Sequence, residues 1–92
     1  MTEIEELLRG AEARQSGFAD HARQVRINAR LSQRAIAEAV GVHQTTLNAW
    51  EHRTALPLGE AAARWAEVVA AVAARYPLLA EPDHSELVEV AS

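Results

Sequence analysis

The sequence predicts an all-α fold, a bundle of about five helices counted with an added helix at the N-terminus. Three observations carry that expectation. Hydrophobic residues make up 49% of the chain, yet only 4% are aromatic and alanine is abundant, which suits closely packed helices better than a sheet. Apolar positions recur at intervals of three and four through successive stretches, the period of a helix with one buried face. Helix-start residues stand ahead of two of those stretches: Thr2 with Glu5 three residues on, and Ser32 before Gln33.

The N-terminal stretch Thr2–Arg14 opens with that capping box and gathers acids in its first turn, where the helix dipole favours them. Ile4, Leu7, Leu8 and Ala11 share one apolar face. Gln15-Ser16-Gly17 breaks the helix. A second helix is expected from Phe18 to Asn28, with Phe18, Ala22, Val25 and Ala29 at helical spacing and Arg23, Arg26 and Arg30 interleaved. The stretch 33–52, QRAIAEAVGVHQTTLNAWEH, reads as two short helices around a corner at Gly41, spanning about Gln33–Val40 and about His43 to Glu51 or His52. The loop through Pro57 follows, since proline disfavours helix in the residue before it. From Leu58 to Arg75 one long helix is expected. Its polar stripe is narrow (Glu60, Arg64, Glu67, Arg75), so it should bury more than one face. Trp65, Val68, Val69 and Val72 on it suit either the core or a homodimer surface. Tyr76-Pro77 ends it, and an acidic segment with Ser85 as a possible cap and the short run ELVEV closes the chain.

Length and composition exclude several classes of function. Ninety-two residues make one domain with a single core, too small for a roomy active site on its own scaffold. The chain has no cysteine, which removes disulfides and thiolate zinc sites. His21, His43, His52 and His84 do not fall on one helix face at ligand spacing. Ser16, Ser32 and Ser85 lie in cap-like contexts without a matching base and acid. No catalytic residue, metal site or cofactor is therefore expected. No run of about 18 apolar residues exists and the N-terminus is acidic, so the expectation is a cytoplasmic protein without a membrane segment.

The formal net charge is −4, but it is unevenly placed. Residues 1–15 carry four acids against Arg9 and Arg14, net −2. Residues 16–56 carry five arginines against Asp20, Glu38 and Glu51, net +2. Residues 57–92 carry six acids against Arg64 and Arg75, net −4. The only net-basic region surrounds the two short helices, and anionic partners respond to local field rather than whole-chain charge. Three parts follow: an amphipathic helix at 1–15, a central domain at 16–76 with its motif at 33–52, and an acidic tail at 77–92.

Two helices held at a steep angle across a tight turn need a small residue where they cross, a residue tolerant of positive φ at the corner, and apolar residues facing inward on both. Ala37, Gly41 and the set Ile36, Val40, Val42, Leu47 and Trp50 supply all three. Outward, the second helix shows Gln44, Thr45, Asn48 and Ala49, a short strip suited to the edges of base pairs. The segment ARLSQRAIAEAVGVHQTTLNAWE resembles the phage-repressor and Cro-like (XRE-type) helix-turn-helix family. Leu31-Ser32-Gln33, Ala37, Gly41-Val42 and Trp50-Glu51 stand at that family's spacings, and the similarity extends upstream to Arg26 and downstream to Pro57. The fold implied is a lambda-repressor-like bundle, and the function implied is sequence-specific binding of a double-stranded DNA operator.

Carried over position by position, the resemblance gives Gln33 a phosphate contact and makes it a brace for Gln44, which suits adenine. Thr45, Asn48 and Ala49 take the other base-facing places, with Asn48 again suited to adenine. Thr46 falls to phosphate, and Arg26 and Glu51 fall to a buried ion pair. Arg23, Arg30, Arg34, His43 and Arg53 are the further candidates for phosphate. Two departures stand out: His43 replaces the usual Ser, Thr or Gly at the start of the second motif helix, and His52-Arg53 stands where glycine is common. The resemblance points to a small Cro-like or immunity repressor acting as a homodimer. An antitoxin holding a protein partner with its acidic tail, and a protein-interaction module on the same scaffold, are the alternatives. The arginines around an outward Gln/Thr/Asn strip speak against the last.

Overall fold

The structure is a computed structural model that describes residues 2–78. The expected Ser85 cap, the ELVEV run and the acidic tail beyond Leu78 lie outside the described residues. Within them the chain forms five helices and no strand: α1 (Glu3–Ala13), α2 (Phe18–Asn28), α3 (Gln33–Val40), α4 (Gln44–Glu51) and α5 (Gly59–Arg75).

Helix α5 is the centre, packing against α1, α2 and α3. Ala62, Ala63, Trp65, Ala66 and Val69 are buried on it. The narrow polar stripe read from the sequence thus corresponds to a helix covered on several sides. Trp65 is 1% exposed and joins three elements: the Phe18 ring of α2 meets it edge-on at 5.0 Å, and the Trp50 ring of α4 lies tilted at 5.0 Å. Such aromatic contacts contribute beyond the area they bury. Val25, Ile36, Ala37, Val40 and Leu47 complete the core, while Val68 and Val72 are half-buried against it. Past the end of α5, the Asn28 side-chain amide donates to the Tyr76 and Pro77 carbonyls at 3.1 and 3.3 Å, which fixes the end of α5 to α2.

Helix α1 starts where its capping box places it. The Glu5 N–H donates to Thr2 Oγ1 at 3.1 Å and the Thr2 N–H to Glu5 Oε1 at 3.0 Å. The second bond, from the Thr2 backbone, is the main reason the Glu5 carboxyl is held below its ordinary value. Arg14, after α1, and Gly59, at the start of α5, border one cleft, so the two helices run antiparallel. Their contact does not use the apolar face of α1. Gly10 and Ala13 are buried, whereas Ile4, Leu7 and Leu8 are 67%, 66% and 64% exposed. The reason is side-chain size. A Cβ added to Gly10 would lie 3.9 Å from the Ala62 Cβ, and helices approaching through glycine and alanine leave no room for leucine between them.

Helices α2 and α4 end alike. After α2, the Arg30 N–H bonds the Ile27 carbonyl and the Leu31 N–H the Arg26 carbonyl; after α4, the Arg53 N–H bonds Trp50 and the Thr54 N–H bonds Ala49. This is the Schellman closure, which puts its penultimate residue in the left-handed region where glycine is normal. Here the residues are Arg30 at φ 60° and Arg53 at φ 63°.

Candidate nucleic-acid interface

The motif is built from its corner outward. Ser32 Oγ accepts the Ala35 N–H at 3.0 Å and starts α3. Gly41, at φ 91°, ends it, with its own N–H and that of Val42 both on the Ala37 carbonyl. A residue with a Cβ would be strained in that backbone conformation. Arg64 of α5 donates Nε to the Val40 carbonyl at 2.7 Å, placing a cation on the negative end of α3 and tying the turn to the central helix. The sequence reading put Arg64 merely on a polar stripe; the unpaired carbonyls at the end of every helix were the available signal. With Ile36, Ala37, Val40, Leu47 and Trp50 turned into the core, α4 leaves Gln44, Thr45 and Asn48 exposed.

A chain of hydrogen bonds runs from the core to that strip. Arg26 of α2 grips Glu51 of α4 with two bonds, Nε to Oε2 at 2.8 Å and Nη2 to Oε1 at 3.0 Å, and donates Nη1 to the Leu31 carbonyl at 3.1 Å. The Glu51 side chain is 1% exposed and that of Arg26 15%. Gln33, on the first turn of α3, then donates Nε2 to Glu51 Oε1 at 3.1 Å and to Asn48 Oδ1 at 3.0 Å. Three helices are thereby locked in register behind the exposed strip. The expected brace from Gln33 to Gln44 is absent from this arrangement. The start of α3 lies beside the C-terminal half of α4, where Asn48 and the second oxygen of Glu51 are within reach.

A helix-turn-helix family model matches residues 23–70, just over half of the chain. The chain belongs to the XRE-type, Cro-like helix-turn-helix family. No curated protein and no solved structure matches it. This is a family of DNA-binding transcriptional regulators, and no helix among the described residues is long and apolar enough to cross a membrane.

Within the helix-turn-helix frame, the remaining candidate residues are dispersed. Arg34, on α3, lines a groove with His43 and Gln44 and makes an exposed 3.3 Å pair with Glu38 one turn on, which binds it only weakly. His43 caps α4 with backbone alone, making no side-chain bond to it. The first N–H groups of α4 therefore stay open toward an anion, as at any helix start. Thr46 and Ala49 are half-buried, and the Ala49 carbonyl is taken by the Thr54 N–H and hydroxyl. Arg23, Arg30 and Arg53 are exposed on separate stretches, and none bonds another member of the candidate set. The structure brings together Gln33, Asn48, Glu51 and Arg26 by direct bonds, and Arg34, His43 and Gln44 around one groove.

Proposed function

We propose that this protein is a sequence-specific regulator of the small Cro-like repressor kind, a homodimer laying α4 of each copy into the major groove of a two-fold operator. One observation carries the reading: the exposed Gln44, Thr45 and Asn48 stand on a helix fixed from behind by the Arg26–Glu51–Gln33 bonds. Base-edge readout needs amide and hydroxyl groups held still at the groove. Gln33, Arg34 and Arg53, with Arg23, Arg30, His43 and Thr46, are the proposed contacts to phosphate, which set register and orientation. The Gln33 side-chain N–H groups are committed to Glu51 and Asn48, so its phosphate contact is assigned to its backbone N–H on the first turn of α3.

A single module of this size binds weakly, and two-fold pairing sets two recognition helices about one turn of DNA apart. Ala62, Ala63, Trp65, Ala66 and Val69 of α5 turn into the core, and α1, with Ile4, Leu7 and Leu8 exposed, is the proposed contact between copies. Leu7→Glu with Leu8→Glu should yield a folded monomer by sedimentation, with its operator affinity reduced. A wild-type protein that sediments as a monomer at operator-binding concentrations would remove the dimer.

The reading as a whole is tested by selecting binding sites from random duplexes with wild-type protein and with Gln44→Ala plus Asn48→Ala. Wild type should return one enriched site, and the double variant should lose it. Equal enrichment by both, or none by either, would overturn the reading. Steep weakening with salt but no preferred site would mean contact with the DNA backbone alone.

A further inference from the structure

We propose that the acidic segment 79–92 docks on its own molecule, across Arg23, Ile27 and Arg30 of the α2 side, and competes with DNA phosphate for those two arginines. The proposal rests on the reading above, which assigns Arg23 and Arg30 to phosphate, and gives them an occupant when DNA is absent.

The surface is laid out by α2. Arg23 and Ile27 stand one turn apart on one side of the helix, and Arg30 follows just past its end at φ 60°. All three are exposed, Ile27 at 52% although it is a large apolar side chain. Among the described residues neither arginine forms an ion pair, whereas Arg26 between them is taken by Glu51. Asp20, a turn before Arg23, is the one acid on α2, so the surface is net basic. It offers two cations with an uncovered isoleucine between them in sequence.

The chain itself leads to this surface. The Asn28 amide donates to the Tyr76 and Pro77 carbonyls at 3.1 and 3.3 Å, and Leu78 is half-buried against the core. The segment after Leu78 therefore starts close to Asn28, which stands between Ile27 and Arg30 in the sequence. It has 14 residues, with Glu81, Asp83, Glu86 and Glu89 and no lysine or arginine. All of the −4 of residues 57–92 resides in it, since Glu60 and Glu67 balance Arg64 and Arg75. Leu87, Val88 and Val90 stand among the last acids, which suits a surface carrying both cations and an apolar side chain. Such a length spans up to about 46 Å when extended, whereas Asn28 and Arg23 are about 8 Å apart along the helix. Reach is not limiting, and the tether holds the acids at an effective concentration of roughly millimolar beside the arginines.

Competition is the physical consequence. A carboxylate on an exposed arginine is held weakly, so the segment subtracts from DNA affinity without blocking binding. DNA must displace the acids before its phosphates reach Arg23 and Arg30, and each displaced pair cancels the release of about one counterion. Wild type thus binds any duplex more weakly, and less salt-sensitively, than its arginines alone would allow.

Two measurements on the full chain test this. The first needs no DNA. The protein has no cysteine, so Ser92→Cys accepts a single nitroxide label. At low salt the label should broaden the amide signals of residues 23–30 within its own molecule. Replacing Glu81, Glu86 and Glu89 by Gln and Asp83 by Asn should abolish the effect. Broadening confined to the last turn of α5, spread evenly over the protein, or seen only between labelled and unlabelled copies overturns the docking.

The second is affinity for a mixed-sequence duplex, measured for wild type, the neutralised variant, Arg23→Gln with Arg30→Gln, and all six changes together. Neutralising the acids should raise affinity by about two- to thirtyfold, the range for two exposed ion pairs. It should also steepen the slope of log K against log salt by up to about 1.8. With both arginines gone, the same neutralisation should change little. A gain that survives their removal means general repulsion by the acids and overturns the proposal. No gain when the arginines are present overturns it too, and leaves the operator reading standing. If none of the four proteins binds duplex, the operator reading falls and the competition with it, while the nitroxide result still decides the docking.

Discussion

Replacing Arg53 by glycine should make the protein more stable and a poorer DNA binder at the same time. Arg53 sits at φ 63°, in the position of the Schellman closure that glycine normally fills. An L-residue with a Cβ is disfavoured there by roughly 1–2 kcal/mol. Glycine removes that cost but gives the unfolded chain more freedom, about 0.5–1 kcal/mol in the opposite direction. Arg53 also borders a groove with Trp50, Leu56 and Pro57, so some stem packing is lost. The net expectation is a gain of about 0.5 kcal/mol, or roughly 2–4 °C in Tm for a domain of this size. If Arg53 holds a phosphate, the same change should lower affinity and flatten the dependence of log K on log salt by about 0.9. Thermal melting and binding titrations at several salt concentrations read the two effects separately. Arg30→Gly, at φ 60°, is the internal comparison. A Tm that does not rise in either variant refutes the strain argument. A rise with unchanged affinity and salt slope refutes the phosphate contact of Arg53.

Three further outcomes can be checked on the free protein. Glu51→Ala leaves the Arg26 guanidinium, 15% exposed, without its carboxylate, and should cost about 3–5 kcal/mol in denaturant unfolding; a loss below about 1 kcal/mol would mean the pair does not hold α2 to α4. Gly10→Ala should stabilise by about 0.5–1 kcal/mol through helix propensity, because its Cβ would meet Ala62 Cβ only at 3.9 Å and the flexible end of Arg14 at 3.4 Å; destabilisation would show that the α1–α5 contact is tighter than these distances allow. The Glu5 carboxyl is held below its ordinary value, chiefly by the Thr2 N–H. Its contribution to α1 is therefore present above the ordinary carboxylate range and lost as pH falls through the lowered value. Amide exchange at the start of α1 should rise with acid, and Glu5→Gln should remove most of that dependence.

What the sequence could disclose was whatever depends on residues close in the chain. Helix starts were readable at Thr2 and Ser32, and the corner at Gly41, because caps and positive φ are local requirements met by particular residue types. Residues 18–28 matched their helix for the same reason. Packing direction was less accessible. The spacing of Ile4, Leu7, Leu8 and Ala11 announces an apolar face but not its partner, and only the alanines of α5 decide that Gly10 and Ala13 go inward instead. Arg53 stood out because glycine is common at that place, whereas Arg30, in the same conformation, followed no motif position that would mark it. At the site, residue types on α4 identified the exposed strip. The bond from Gln33 to Asn48 instead of Gln44 depends on the sideways placement of two helices, which no spacing within either one specifies.

The two acidic ends and the basic middle constrain how such a molecule can meet DNA. Phosphates repel residues 1–15, which carry a net charge of −2, so the productive approach is the one that turns α1 away from the duplex. The central helix meets that need: it clamps the motif through Arg64 on Val40 while α1 runs antiparallel along it through Gly10 and Ala13. Because the fully buried residues of α1 in that contact are the small Gly10 and Ala13, its leucines stay exposed. A contact between copies through them would cover the largest side chains that α1 exposes and leave α4 of each copy open to the groove. Gly10 and Ala13 thus have a consequence beyond packing. Enlarging Ala13 to leucine, buried at 4% exposure, should force α1 off α5 and disturb dimer formation together with stability, whereas Leu7→Glu with Leu8→Glu should disturb dimer formation alone. Sedimentation and thermal melting of the two variants separate a helix that merely caps the fold from one that joins copies. Matching losses of Tm in both would assign α1 to the fold and remove it from the interface.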